Sequence, residues 1–332
     1  MRHRYQNISL ILLLCLFLAA PMQVLSAAPG KPVVYSYWAG WSNAQIPDYK
    51  FDGLFLAFAL LHSDGRGTYY TDYSASGNFQ NPANSGTYTI WNNWLRKYWN
   101  EGARAYVSYG GATNDDFRKI IIEANAEQLT KIAGEIKANI KNFYYDGVDL
   151  DIEGWWHYGN SDNIKFANNL ARMVKILRKS LDDDTATKGK IIMIATGWHA
   201  AGQVAGMYDT GNAYAGTMRP FFADPDAMNA ISAVNIMTYN TGIKNFYSRA
   251  DLAINILNQF VIAGVDRQKL IFGIQPCESA NAGPTPSSTI KTLAETIKLN
   301  NFGGMFMWGI GTSGLCGQNP AEYLTAMQQG LQ

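Results

Sequence analysis

Three carboxylic acids occupy every second position in the stretch "FYYDGVDLDIEGWWH", residues Phe143 to His157: Asp149, Asp151 and Glu153. Only 16% of the chain is charged, so this run among aromatic and aliphatic neighbours needs a reason. On a β-strand alternate side chains share a face, which sets the three acids on one side and Val148, Leu150 and Ile152 on the other. The apolar set can pack against a neighbouring layer while the acids converge. Carboxylates this close repel, and a desolvated site penalises every charge, so at least one proton is expected to stay bound near neutral pH. A retained proton makes a general acid. Hard cations also take clustered carboxylates, so a metal site is the rival chemistry. A solvated acidic face is the third reading, weakened by Phe143, Tyr144, Trp155 and Trp156 around it. Asp146 has the parity of the apolar set and reads as a supporting, hydrogen-bonding residue.

Eight short apolar runs could carry such a site, beginning at Val33, Gly53, Ala103, Phe143, Ile191, Ala233, Lys269 and Gly303. Between them lie segments of helical period, such as those from Asp162, Ala250 and Ser288. No linker, repeat or low-complexity tract interrupts the series, so one domain is expected. Eight strands alternating with helices match the count of a closed (β/α)8 or TIM barrel of the α/β class. A doubly wound open sheet is the competitor, but no glycine-rich phosphate loop follows the first strand. The gap between His62 and Asn100 ends in an expected helix near "TIWNNWLRKYW" and follows strand two, on the face where barrel active sites are built.

An apolar content of 47% over 332 residues is ample for a core. The first residues carry a basic tip (Arg2, Arg4), an apolar run from Ile8 to Ala20, and small residues Ser26 and Ala28. This is signal-peptide grammar, giving a leader over 1–28 and a mature domain over 29–332. A membrane anchor is the alternative, for which the run is shorter than the ~20 residues of a spanning helix. Without Arg2 and Arg4, 25 basic residues face 26 acidic ones, a balance of −1 that implies no nucleic acid partner. Cys15 would leave with the leader, and Cys277 and Cys316 would form one disulfide in an oxidising compartment, two buried thiols being the alternative. His157 and His199 lack a partner at metal-ligand spacing, and no metal or cofactor is expected. Trp38, Trp41 and Trp198 read equally as sugar platforms or as core.

The segment "DGVDLDIE", Asp146 to Glu153, resembles the DGxDxDxE signature of family 18 of the glycoside hydrolases, the chitinase family, at every fixed position. "SYGG" (Ser108 to Gly111) is similar to that family's SxGG motif, "MTYN" (Met237 to Asn240) to its MxY segment, and Trp308 stands where the family carries a strand-eight tryptophan. The motifs fall in the expected order over nearly the whole mature chain. The resemblance implies that Glu153 protonates the glycosidic oxygen and later activates water, while Asp151 orients the substrate's N-acetyl group as internal nucleophile. It implies that Asp149 shares a proton with Asp151 and that Tyr239 donates to the N-acetyl oxygen. It further marks Tyr37 and Ser108 as residues holding the deeper aspartate, Trp308 as the floor beneath the reacting sugar, and Phe58, Met237 and Asn240 as further substrate-binding positions. Asn240 departs from the Asp of many relatives, which takes one carboxylate out of the mouth.

Only one helix fits between Pro276 and Phe302, so the chain resembles the branch without a small α+β insertion there, and an open groove suited to endo-acting cleavage is expected. The implied activity is that of a secreted, monomeric chitinase cutting β-1,4 links between N-acetylglucosamine units, with no membrane association after leader removal. An endo-β-N-acetylglucosaminidase acting on N-glycans uses the same chemistry. A chitin-binding lectin would need a disabled acid, and Glu153 is present.

Overall fold

The computed structural model describes residues 30–42, 44–72, 86–112, 115–154, 159–205, 207, 215–277 and 283–332. The expected leader over 1–28, Trp155, Trp156 and His157 therefore lie outside the described residues. The strands are β1 (Val33–Ala39), β2 (Gly53–Ser63), β3 (Tyr69–Asp72), β4 (Arg104–Gly110), β5 (Gly147–Ile152), β6 (Ile191–Gly197), β7 (Ala233–Met237), β8 (Leu270–Ile274) and β9 (Gly304–Ile310). The α-helices among the described residues are α1 (Gly86–Tyr98), α2 (Asp115–Glu123), α3 (Ala126–Asn142), α4 (Asn160–Asp182), α5 (Arg219–Phe222), α6 (Pro225–Ala230), α7 (Ala250–Ala263), α8 (Ser287–Leu299) and α9 (Pro320–Leu331).

All strands but β3 run parallel in the order β1, β9, β8, β7, β6, β5, β4, β2, and β1 pairs with β2 to close the ring. The expected eight-stranded TIM barrel is the observed fold, with one addition. β3 pairs antiparallel with the end of β2, Leu60 opposite Asp72 and Ser63 opposite Tyr69. These residues fall in the long gap between His62 and Asn100, where "TYYTD" has no apolar alternation and its partner is an overhang of β2 beyond the ring. A second difference lies at β5, expected from Phe143 but starting at Gly147: Tyr144 has φ +57° and is 81% exposed, so the chain turns there.

Two cores follow from strand parity. Outward-facing Val107, Val148, Leu150, Ile192, Val234 and Phe272 pack with the helices. Inward-facing Tyr35, Tyr37, Phe55, Tyr106, Met193, Met237, Ile271 and Phe306 fill the barrel itself. Aromatic rings dominate this plug: Phe55 stacks on Tyr37 at 4.4 Å and meets Tyr106 at 5.1 Å. The acids of β5 sit on this filling instead of over an open pore. At the other end Asp146 accepts from Ala105 N at 3.0 Å and from Lys190 Nζ at 3.4 Å, the supporting role its parity suggested.

Between β8 and β9 the described residues contain α8 as the single helix. No helix among them is long and apolar enough to cross a membrane. Cys277, just past β8, and Cys316, past β9, form the expected disulfide with their Cα atoms 5.7 Å apart. Adjacent parallel strands deliver their loops to the same end, which is why residues 39 apart in sequence meet. Closing such a loop stabilises the fold by roughly 3 to 4 kcal/mol in the chain-entropy model. Reduction should lower the melting temperature, and alkylation of the unreduced protein followed by mass spectrometry should find neither cysteine modified; two modified cysteines would show that the bridge does not form.

Candidate active site

β5 delivers its acids at successive depths. Asp149 is fully buried on the aromatic plug, Asp151 is 5% exposed one step higher, and Glu153 follows the end of the strand, partly open to the cavity above. Each level is served by the neighbouring strands. Asp149 Oδ2 accepts from Ser108 Oγ at 2.7 Å and Tyr37 Oη at 2.9 Å, while Oδ1 accepts from Asn235 Nδ2 at 3.1 Å. Asn235 also donates to Tyr37 Oη at 3.0 Å. Three donors from three other strands thus orient the Asp149 carboxyl, two of them on Oδ2 and one on Oδ1. No group of three or more potential ligands suited to a metal ion occurs among the described residues.

The end of β4 approaches β5 too closely for side chains. Gly111 N donates to Asp151 O at 3.3 Å, and a Cβ on Gly110 would run into that same carbonyl oxygen. Both glycines have positive φ, +120° and +91°, and a Cβ on Gly111 would stand 2.7 Å from the Phe58 ring. The two glycines of "SYGG" are thus a steric requirement, and they free the next residue, Ala112, to donate its N–H to the Glu153 carboxyl.

Above the acids lies a cavity of ≈ 380 Å³ lined by Trp41, Phe58, Ala112, Asp151, Glu153, Tyr239, Asn240, Gln275 and Trp308. Trp308 and Phe58 stack at 5.7 Å, and Trp41 stacks on Phe58 at 5.9 Å, forming an aromatic wall opposite the carboxyls' strand. Such a wall suits the apolar faces of a sugar ring, and the acids, Tyr239 and the Asn240 and Gln275 amides suit its polar edges. Of the sequence-derived residues, Glu153, Asp151, Tyr239, Trp308, Phe58 and Asn240 meet at this cavity. Tyr37, Ser108 and Met237 lie below it, the first two bonded to Asp149 and the third within the barrel filling. Trp38 and Trp198 belong to the outer core and Trp41 to the cavity, which resolves three readings the sequence left even. His199 is half-buried beside Trp198, where desolvation pushes its imidazole down to about 4.

Sequence reasoning missed Gln275, Ala112 and the direct role of Asn235. Gln275 Nε2 donates to Cys277 O at 2.7 Å and its N–H to Tyr247 Oη at 2.9 Å, so the disulfide loop holds it at the cavity. The parity of Asn235 with Met237 and Tyr239 was a usable signal. Ala112 acts through its main chain, to which side-chain patterns are blind.

Burial drives the electrostatics. It pushes Asp149 up to about 6, against the lowering effect of the Ser108, Tyr37 and Asn235 hydrogen bonds. Asp151 is raised well above the ordinary aspartate range by burial and then by the charges of Glu153 and Asp149. Burial raises Glu153 to about 7, partly offset by the Ala112 N–H. Tyr239 is held protonated by burial and by the negative charge of Asp151 and Glu153. Asp151 Oδ1 is buried without a hydrogen-bond partner, an acceptor left for a ligand.

The sequence profile of glycosyl hydrolases family 18 matches residues 33–279. The chain belongs to that family. Similar solved structures include a GH18 chitinase from Pseudoalteromonas aurantia, at 19% identity and a TM-score of 0.66, covering 90% of this chain and 99% of that one. A chitinase-like agglutinin from Robinia pseudoacacia aligns at 16% identity and TM-score 0.65 over 89% of this chain and 99% of its own. A family 18 N-acetylglucosaminidase from Paenibacillus barengoltzii aligns at 17% identity and TM-score 0.62, over 90% and 99%. At these identities the likeness speaks for the fold. Among curated protein sequences no match is found.

For this family 18 glycosidase fold the raised carboxyls carry a stability consequence. Groups whose folded values lie near 6 and 7, against about 4 in the unfolded chain, stabilise the fold fully below about pH 4 and lose that contribution as pH rises through those folded values. For buried Asp149 a shift of about two units corresponds to about 3 kcal/mol. The melting temperature should therefore fall between about pH 4 and pH 7, and Asp149→Asn should flatten that slope while abolishing activity. An unchanged slope would mean that Asp149 ionises normally in the folded protein.

Proposed function

We propose that the protein is a secreted, endo-acting chitinase that hydrolyses β-1,4 links between N-acetylglucosamine units with retention, by substrate-assisted catalysis. The observation that carries this reading is Glu153, a carboxyl held near 7 at the floor of an aromatic-walled cavity, two residues from an Asp151 whose Oδ1 awaits a donor. Glu153 gives its proton to the glycosidic oxygen as the bond to the anomeric carbon breaks. The oxygen of the substrate's own acetamido group attacks that carbon, and the resulting oxazolinium cation stays bound. Asp151 Oδ1 accepts the acetamido N–H and Tyr239 Oη donates to the acetamido oxygen, which fixes the nucleophile in line. Glu153, now ionised, takes a proton from the water that reopens the ring, so acid and base are one residue and configuration is retained. Asp149, poised near 6, accepts or returns the proton that Asp151 holds as this charge develops.

That α8 is the single helix between β8 and β9 among the described residues supports an open groove and internal cleavage. The disulfide and the leader-like N-terminus support secretion. Release of N-glycans by the same chemistry is a reading that a parallel digestion of chitin oligomers and a high-mannose glycoprotein separates.

Glu153→Gln should lower hydrolysis of chitin oligomers by ~10²-fold to ~10⁴-fold or more while leaving oligosaccharide binding largely intact, because the amide is nearly isosteric but has no proton to give. Activity within a few-fold of wild type would remove Glu153 from the role. Cellulose oligomers, lacking the acetamido group, should resist cleavage, and the first product from chitin oligomers should be the β-anomer; an initial α-anomer would contradict the oxazolinium route.

A further inference from the structure

Helix α2 begins just beyond Ala112, and on it Arg118 is only 3% exposed. Burying a guanidinium is costly, so its contacts must matter. Nη1 donates to the main-chain oxygen of Glu153 at 3.4 Å, Nη2 donates to Asn163 Oδ1, and the guanidinium lies 4.5 Å from the centre of the Phe166 ring. Asn163 and Phe166 are three residues apart on α4, and Asn169 continues the same face at the next such step. Asn169 Nδ2 donates to Ile121 O at 2.9 Å and Ala124 O at 3.2 Å, at the far end of α2. One face of α4 therefore holds α2 at both ends, with Arg118 between that face and the chain at Glu153. The carboxyl of Glu153 is meanwhile held by the N–H of Ala112, two residues past the end of β4.

We propose that Arg118 is a positioning residue for the general acid: it holds the main chain of Glu153 while the Ala112 N–H holds its carboxyl. This rests on the reading of Glu153 as the acid. Loss of the main-chain grip lets the carboxyl drift from the glycosidic oxygen without altering the cavity wall. Displacements of about 1 Å cost up to about 10²-fold in rate. The cost depends on the leaving group, because a sugar alkoxide needs the proton and a nitrophenolate scarcely does.

The test is Arg118→Met and Arg118→Lys, assayed on chitotetraose and on 4-nitrophenyl diacetylchitobioside. Arg118→Met should lower kcat on chitotetraose by about 10-fold to 10²-fold with KM within about threefold, lower kcat on the nitrophenyl substrate by less than about threefold, and be partly rescued in Arg118→Lys. Equal losses on both substrates, or a change confined to KM, would overturn the proposal in favour of a purely structural role. Asn163→Ala, which removes a holder of Arg118 and keeps the charge, gives the same comparison should Arg118→Met fail to fold. Hydrogen exchange supplies an arm independent of activity: residues 147–154 should exchange faster in the variant while other barrel strands do not, and unchanged exchange there would overturn the grip. A wild type that hydrolyses neither substrate would instead refute the proposed function, and the exchange result would still decide the place of Arg118.

Discussion

Three carboxyl groups cannot all ionise in the mouth of one barrel, and the rest of the site is arranged around the proton this leaves behind. Asp149 rests on an aromatic plug and is surrounded by donors, so it tolerates charge despite complete burial. Asp151 is buried with an unpartnered oxygen and two acidic neighbours, so it resists charge. Glu153 opens onto the cavity and is tuned between these extremes. Environments that pull like groups apart in this way are how a fold assigns acid and base roles to identical chemistry.

The same constraint explains features that look unrelated. The interior must be filled, because a wet pore would solvate the acids and return them to ordinary behaviour; Phe55, Tyr37, Tyr106 and Phe306 fill it. The end of β4 must lack side chains, because Gly110 and Gly111 lie against Asp151 and Phe58. The loops after β8 and β9 must be held, because they carry Gln275 and follow Trp308, and the Cys277–Cys316 bridge holds them.

The parts of this arrangement legible in sequence share one property: they repeat at the period of the element that carries them. Asp149, Asp151 and Glu153 alternate with aliphatic residues so cleanly that their face could be read directly, and the family motifs then placed Ser108, Tyr239 and Trp308. Parts that act through the main chain or across long separations were not legible. Ala112 contributes an N–H, and Arg118 reaches Glu153 and α4 only once the helices are packed. Trp38 and Trp41 look alike in sequence, yet one ends in the outer core and the other at the cavity, because the strand stops at Ala39 and the chain turns. β3 escaped because its pairing partner is an overhang of β2 that no apolar pattern marks.

Whether the acidic run keeps a proton where ordinary carboxylic acids would have lost theirs can be seen by neutron diffraction from crystals exchanged into heavy water at about pH 6. A deuteron is expected on Glu153 or Asp151, with deuterated Tyr37 and Ser108 hydroxyls pointing at Asp149. Three bare carboxylates at that pH would contradict it.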